Sequence, residues 1–183
     1  MKFLLQTRQK MGCKLLRKKA DNVHRQKAYH NIDSASTIGL LFDSTVQANY
    51  FSARRFITSL VEAGKNVAAL GMVLNEEMLR YYTPSPNIRL FSIEKTTLLG
   101  FPKNQHVEDF VNTDYDILIN ICTTENLCVD YVMGLSKAKF KVSMKFKEND
   151  FADFALEYKD GRVPETDELI NRIKQYLTVI SRK

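Results

Sequence analysis

Apolar residues fall into short unbroken runs, and between the runs they recur at helical spacing. Thr37–Phe42 (TIGLLF) is the clearest run and ends abruptly in Asp43-Ser44-Thr45. A stretch without polar alternation fits a strand buried on both faces, as in a parallel sheet. After it, Tyr50, Ala53, Ile57, Leu60 and Val61 mark a helix, with Gly64 placed to stop it. Asn66–Leu74 reads as a second strand. Asn75 then caps a short helix over 76–82 that Pro84 and Pro86 end. Ile88–Ile93 is a third strand, followed by a long connection over 94–105 and a helix over about 106–112. Tyr115–Cys122 is the fourth strand. Thr123 or Thr124 caps a helix over 125–135. Phe140–Met144 alternates and is short, which suggests a place near an edge. Phe154–Tyr158 offers a sixth strand. Leu169, Ile170, Ile173, Tyr176, Leu177 and Ile180 give a final helical stripe. Strict β-α alternation builds a parallel sheet. The expected fold is a three-layer α/β domain, Rossmann- or flavodoxin-like, with about five strands and helices on both faces.

Residues 1–20 read as a helix preceding that body. Leu4, Leu5, Met11, Leu15 and Leu16 share a rough stripe, and Gly12 weakens the helix by about 1 kcal/mol relative to Ala. Residues 21–36 show little periodicity and suggest a linker or loosely packed arm, with a possible helical extension to Tyr29. The expected division is therefore an arm and linker over 1–36 and one α/β domain over 37–183.

Charge sharpens this division. Residues 1–36 carry nine Lys or Arg and two Asp, a net +7. The remaining 147 residues carry 18 basic and 19 acidic residues, so the whole excess lies in the leader. Such asymmetry points to a segment that meets phosphate or an anionic surface. Lys10, Lys14, Arg17, Lys18, Lys19 and Arg25 are the expected phosphate contacts, and Tyr29 and His30 the expected stacking partners. RNA or a ribonucleoprotein is the favoured partner. A helix that packs its leucines on the body comes next, and peripheral contact with an anionic membrane is the lesser alternative. No apolar run approaches the ~20 residues of a membrane span, and Gln6, Thr7 and Arg8 interrupt any signal-like start. A cytoplasmic location is expected. Cys13, Cys122 and Cys128 read as small apolar residues of a reducing compartment, without a disulfide framework.

Candidate chemistry lies at the carboxyl ends of the strands, where open α/β sheets bind ligands. Asp43, Ser44 and Thr45 end the first strand; Thr123, Thr124 and Glu125 end the fourth. In a flavodoxin strand order these loops, and the one after the third strand, lie near the topological switch point. They define an alternative function, a small-ligand protein or enzyme taking a nucleotide or sugar nucleotide. Asp43 and Glu125 would be its carboxylate pair, yet both also suit helix caps. No glycine-rich phosphate loop follows the first strand. No catalytic residue, metal site or cofactor is assigned, and an enzyme is the lesser expectation.

Two resemblances add to this. The order of a basic leader, "TIGLLFD", "KNVAALGMV", a Gly-Phe-Pro loop, "DYDILINI" and "LSKAKFKV" resembles a family of uncharacterised bacterial proteins with no assigned activity. Residues 114–142 are also similar to the amino-terminal half of heptosyltransferase-like glycosyltransferases. That likeness implies the fold. The second half, which holds the sugar nucleotide in those enzymes, has no room in 183 residues.

Overall fold

The Thr37–Asp43 run forms β1, an inner strand buried over its five middle residues. It pairs in parallel with β2 (Asn66–Val73) on one side and β4 (Ile117–Asn120) on the other. β3 (Ile88–Ser92) lies outside β2, and β5 (Phe140–Met144) and β6 (Phe154–Leu156) follow β4 outward. The computed structural model describes residues 2–83, 85–146 and 151–179. Its six-stranded, all-parallel sheet has the order β3-β2-β1-β4-β5-β6. This is the Rossmann order, not the flavodoxin one, and the switch point lies between β1 and β4. Those two strands still flank it, as expected. The loop after β3 instead starts at the far edge.

Helices cover both faces. α2 (Gln47–Glu62) and α5 (Thr166–Val179) bury Tyr50, Phe56, Ile57, Leu169 and Ile173 against Ile38, Leu40 and Phe42. The opposite face carries α1 (Lys2–Asp21), α3 (Gln105–Asn112) and α4 (Leu127–Leu135), packed on Leu41, Leu70 and Leu118. Right-handed crossovers impose this division. The chain moves one way from β1 to β3 and the other way from β3 to β6.

Several local expectations change. β5 is interior, and all five of its residues are buried. Its alternation is real: Phe140, Val142 and Met144 join the α2/α5 core, while Lys141 and Ser143 find polar partners on the other face. Neither Ser44 nor Thr45 caps α2; Val46 stands at that position without a side-chain bond. Asn126, not Thr123 or Thr124, caps α4 by accepting from the Cys128 amide at 2.8 Å. α1 ends at Asp21 and does not extend to Tyr29. Gly64 does stop α2, at φ 78°, a left-handed conformation that glycine adopts without strain. The side chains of Leu4 and Leu5, and residues Pro84 and Ile180, lie outside the described residues.

The segment between α1 and β1 forms no helix or strand, yet it is fastened along its length. The Ala28 amide donates to the Lys139 carbonyl (3.2 Å) and the Ile32 amide to the Leu177 carbonyl (3.3 Å). Asp116 accepts from the amides of Ser36 (2.8 Å) and Thr37 (3.1 Å) and from Lys139 Nζ (2.8 Å). His30 is buried, with Nε2 3.9 Å from Asp116 Oδ1. This is why His30 cannot offer a ring for stacking, whereas Tyr29 stays exposed, edge-on to Phe140 at 5.4 Å.

Candidate functional site

Helical geometry sorts the leader's charges. Gly12 and Leu16, four residues apart, form the buried line of α1. Leu16 is fully buried, and Gly12 lies close against the Leu99 carbonyl and Leu127. At 100° per residue, Lys10, Lys14, Arg17 and Lys18 fall on the opposite side, and all four are exposed. Lys19 sits beside the buried line, with Nζ 5.9 Å from the Phe101 ring centroid. Arg8 Nε donates to the Leu98 carbonyl at 2.8 Å. The long 94–105 connection therefore serves as the bed on which α1 lies. Phe101 is buried there, 5.3 Å from the Tyr131 ring.

Arg25 has a different fate from the other basic candidates. Its side chain is only 9% exposed and pairs with both carboxylate oxygens of Asp153, at 2.5 and 2.8 Å. It also donates to the carbonyls of Ala138 (3.0 Å) and Lys139 (3.1 Å). Burial alone would raise the Asp153 pKa. The Arg25 guanidinium and the Lys141 amide outweigh it and hold the carboxyl below its usual range. Arg25 thus fastens the arm.

Beside it opens a cleft of about 620 Å³, lined by Arg17, Asp21, Arg25, Lys27, Lys141 and Asp153 among others. Lys141 is 3% exposed and donates from Nζ to the Met133 carbonyl (2.6 Å) and, at 3.5 Å, to that of Gly134. A cation at the last turn of α4 complements the helix dipole. Burial foremost, with the Arg25 and Lys27 charges and against the pull of Asp153, lowers the Lys141 pKa to about 7. Sequence reasoning missed Lys141, although a lysine inside an apolar strand (FKVSM) was a legible sign.

The carboxyl-edge candidates separate. Thr123, Thr124 and Glu125 line a second cleft, of about 860 Å³, with Met144, Lys145, Phe146, Tyr158 and Arg162 among others. The Tyr158 hydroxyl is buried and has no partner among the described residues. Asp43, Ser44 and Thr45 do not line this cleft. Asp43 Oδ1 accepts from the Thr45 amide at 2.7 Å, closing a local turn. Ser44 is buried beside Gly71, and its carbonyl accepts from the Tyr82 hydroxyl. At the end of β4, Asn120 Nδ2 donates to Ser143 Oγ (3.0 Å), and Asn120 Oδ1 accepts from the Cys122 amide (3.0 Å). Those buried bonds shape the floor of the switch point. Burial pushes the Cys122 thiol well above its usual pKa and Cys128 to about 12, so both behave as apolar residues.

The arrangement defines a Rossmann-order α/β protein with a basic helix laid across one face of its sheet. The chain belongs to the family of unknown function DUF6913, whose model matches residues 8–180 and so includes most of that helix. No curated protein and no solved structure matches the chain. No helix among the described residues is long and apolar enough to cross a membrane.

Proposed function

We propose that this chain is a non-enzymatic binding protein that holds RNA, or an RNA-bearing particle, against the outer face of α1. The observation that carries this reading is the row Lys10, Lys14, Arg17 and Lys18, exposed on the side of α1 opposite Gly12 and Leu16. Eight residues of helix set these charges along about 12 Å. Docking on the body fixes their spacing in advance and reduces the ordering cost of binding. Exposed Tyr29 supplies a ring for a base. An anionic membrane is the weaker partner. A helix that enters the headgroup layer must offer its apolar side, and here Leu16 is sealed against α4.

The test is salt dependence of the full chain on a mixed-sequence single-stranded RNA. Four phosphate contacts predict a slope of log K on log salt of about −3. Replacing Lys10, Lys14 and Lys18 together by Gln should bring it to about −1. A flat slope in the parent protein, or anionic vesicles that bind more tightly than RNA at equal salt, would sink the proposal.

A second reading, a small-ligand site at the carboxyl edge, rests on the cleft at Thr123 and on the buried Tyr158 hydroxyl, which has no hydrogen-bond partner among the described residues. Nucleotides and sugar nucleotides are the ligands the Rossmann order suggests there. Amide shifts confined to 123–125 and 157–163 on adding such a compound would support it; none at millimolar concentration would remove it.

A further inference from the structure

We infer that the cleft at the carboxyl-terminal end of α1 is a site for a compact dianion of the phosphomonoester class, with Lys141 at its floor and Arg17 and Lys27 at its rim. Charge and shape carry the inference. Among the described residues the ionisable lining holds four basic side chains (Arg17, Arg25, Lys27, Lys141) and two carboxylates, Asp21 and Asp153. Asp153 is already saturated. It takes both Arg25 bonds, lies 3.3 Å from Lys27 Nζ and accepts from the Lys141 amide at 2.9 Å. Basic groups therefore outnumber carboxylates among the described lining residues of a concave site of about 620 Å³, large enough for a phosphate group and part of its carrier.

Lys141 makes the floor unusual. An ammonium has three donors. Two are directed at the α4 carbonyls of Met133 and Gly134, the second at the limit of bonding distance. Among the described residues no carboxylate bonds the Lys141 ammonium. Among the described residues α1 presents Arg17 and Asp21 to the cleft, the arm Arg25 and Lys27, and the 151–153 segment Asp153, while α4 adds the carbonyls of Met133 and Gly134. Buried amines with lowered pKa collect at ligand sites, because the ligand's charge completes what the protein leaves unbalanced. An anion seated here would hold Lys141 protonated, so its affinity must fall as pH rises above 7.

This site does not depend on the RNA reading. It shares Arg17 with that surface, while Lys27 and Lys141 belong to it alone. The first probes are inorganic phosphate and sulfate, titrated into the full chain at constant ionic strength. Sulfate keeps its charge across the pH range used. Both should raise the melting temperature above that in matched chloride. Lys27→Gln and Arg17→Gln should each weaken binding about tenfold, the cost of a lost charge-assisted bond. Lys10→Gln should leave it unchanged. Sulfate affinity should decline from pH 7 to pH 9 in the parent, and Lys141→Met, if it folds, should abolish both the binding and the decline. RNA with a 5′-phosphate outcompeting RNA with a 5′-hydroxyl would assign the dianion to a strand end; equal competition would assign it to a free small molecule. Phosphate and sulfate no more stabilising than chloride, or rim variants that bind like the parent, would overturn the site. A flat RNA salt slope beside normal phosphate binding would overturn only the RNA reading.

Discussion

Gly12→Ala is expected to destabilise the protein by about 1–3 kcal/mol, although helix propensity alone promises a gain of about 1 kcal/mol. The two effects have opposite signs, so the substitution separates a free helix from a seated one. A methyl group at position 12 would stand well inside van der Waals distance of the Leu99 carbonyl oxygen and 3.1 Å from Leu127 Cδ2. The leucine side chain can yield, but the carbonyl cannot retreat easily. Its loop is pinned by the Thr97 amide on the Phe101 carbonyl (2.8 Å), the Gly100 amide on the Thr97 carbonyl (2.9 Å) and Gly100 at φ 84°. The helix must move instead. It then loses contact at Leu16, which is fully buried, and between Lys19 and Phe101. A fall of roughly 2–10 °C in melting temperature is expected. Faster amide exchange should be confined to α1 and the 97–101 loop. A variant as stable as the parent would mean that α1 does not rest on Leu99. RNA affinity should fall with the seat of the helix, since the basic row would lose its fixed position.

Loss of the Asp116 carboxylate should cost more, about 2–4 kcal/mol for Asp116→Ala and roughly half that for Asp116→Asn. The side chain ties three parts of the molecule together: the start of β1 through Ser36 and Thr37, Lys139 before β5, and His30 in the arm. Removal leaves two amide donors and an ammonium without their acceptor. Asn keeps an acceptor but not the charge. Burial by itself would raise the carboxyl's pKa, yet Lys139 and the two amides outweigh it and hold the group far below its ordinary value. A lowered folded-state pKa means that its stabilisation is present above about pH 4, the unfolded value, and is lost as pH falls further. Urea denaturation of parent and Asp116→Ala should therefore differ fully at pH 7 and converge below pH 4. An equal difference at pH 7 and pH 3 would show that the charge is not the source. Parallel loss of protection at Ala28 and Ile32 would show that Asp116 holds the arm as well as β1.

Much of the body was legible in the one-dimensional pattern. TIGLLF, NVAALGMV and DILIN became β1, β2 and β4 because strands covered on both faces leave no polar alternation to misread. α2 and α5 appeared where apolar residues recurred at 3.6-residue spacing. The errors cluster where a polar residue's partner is distant in sequence. Phe140–Met144 looked like an edge because Lys141 and Ser143 looked solvated, but α4 carbonyls and Asn120 receive them. Thr123 and Thr124 have the chemistry of a helix cap, but Asn126 caps α4. Arg25 looks in sequence like another exposed phosphate contact, but Asp153, 128 residues away, binds it. The six carboxyl-edge candidates end β1 and β4, which do flank the switch point, yet three of them line a cleft while Asp43, Ser44 and Thr45 belong to a local turn packed beside Gly71.

By itself the sequence determined that the chain alternates strand and helix, that its strands are buried and parallel, and that its excess positive charge lies in the first 36 residues. These follow from local rules: backbone periodicity and the cost of exposing apolar surface act over a few residues. Tertiary structure alone decided the order of the strands, the side of α1 that faces outward and which of the leader's charges are spent on internal pairs. Those depend on contacts between residues a hundred or more positions apart, and no local periodicity records which carboxylate or carbonyl a given cation will meet.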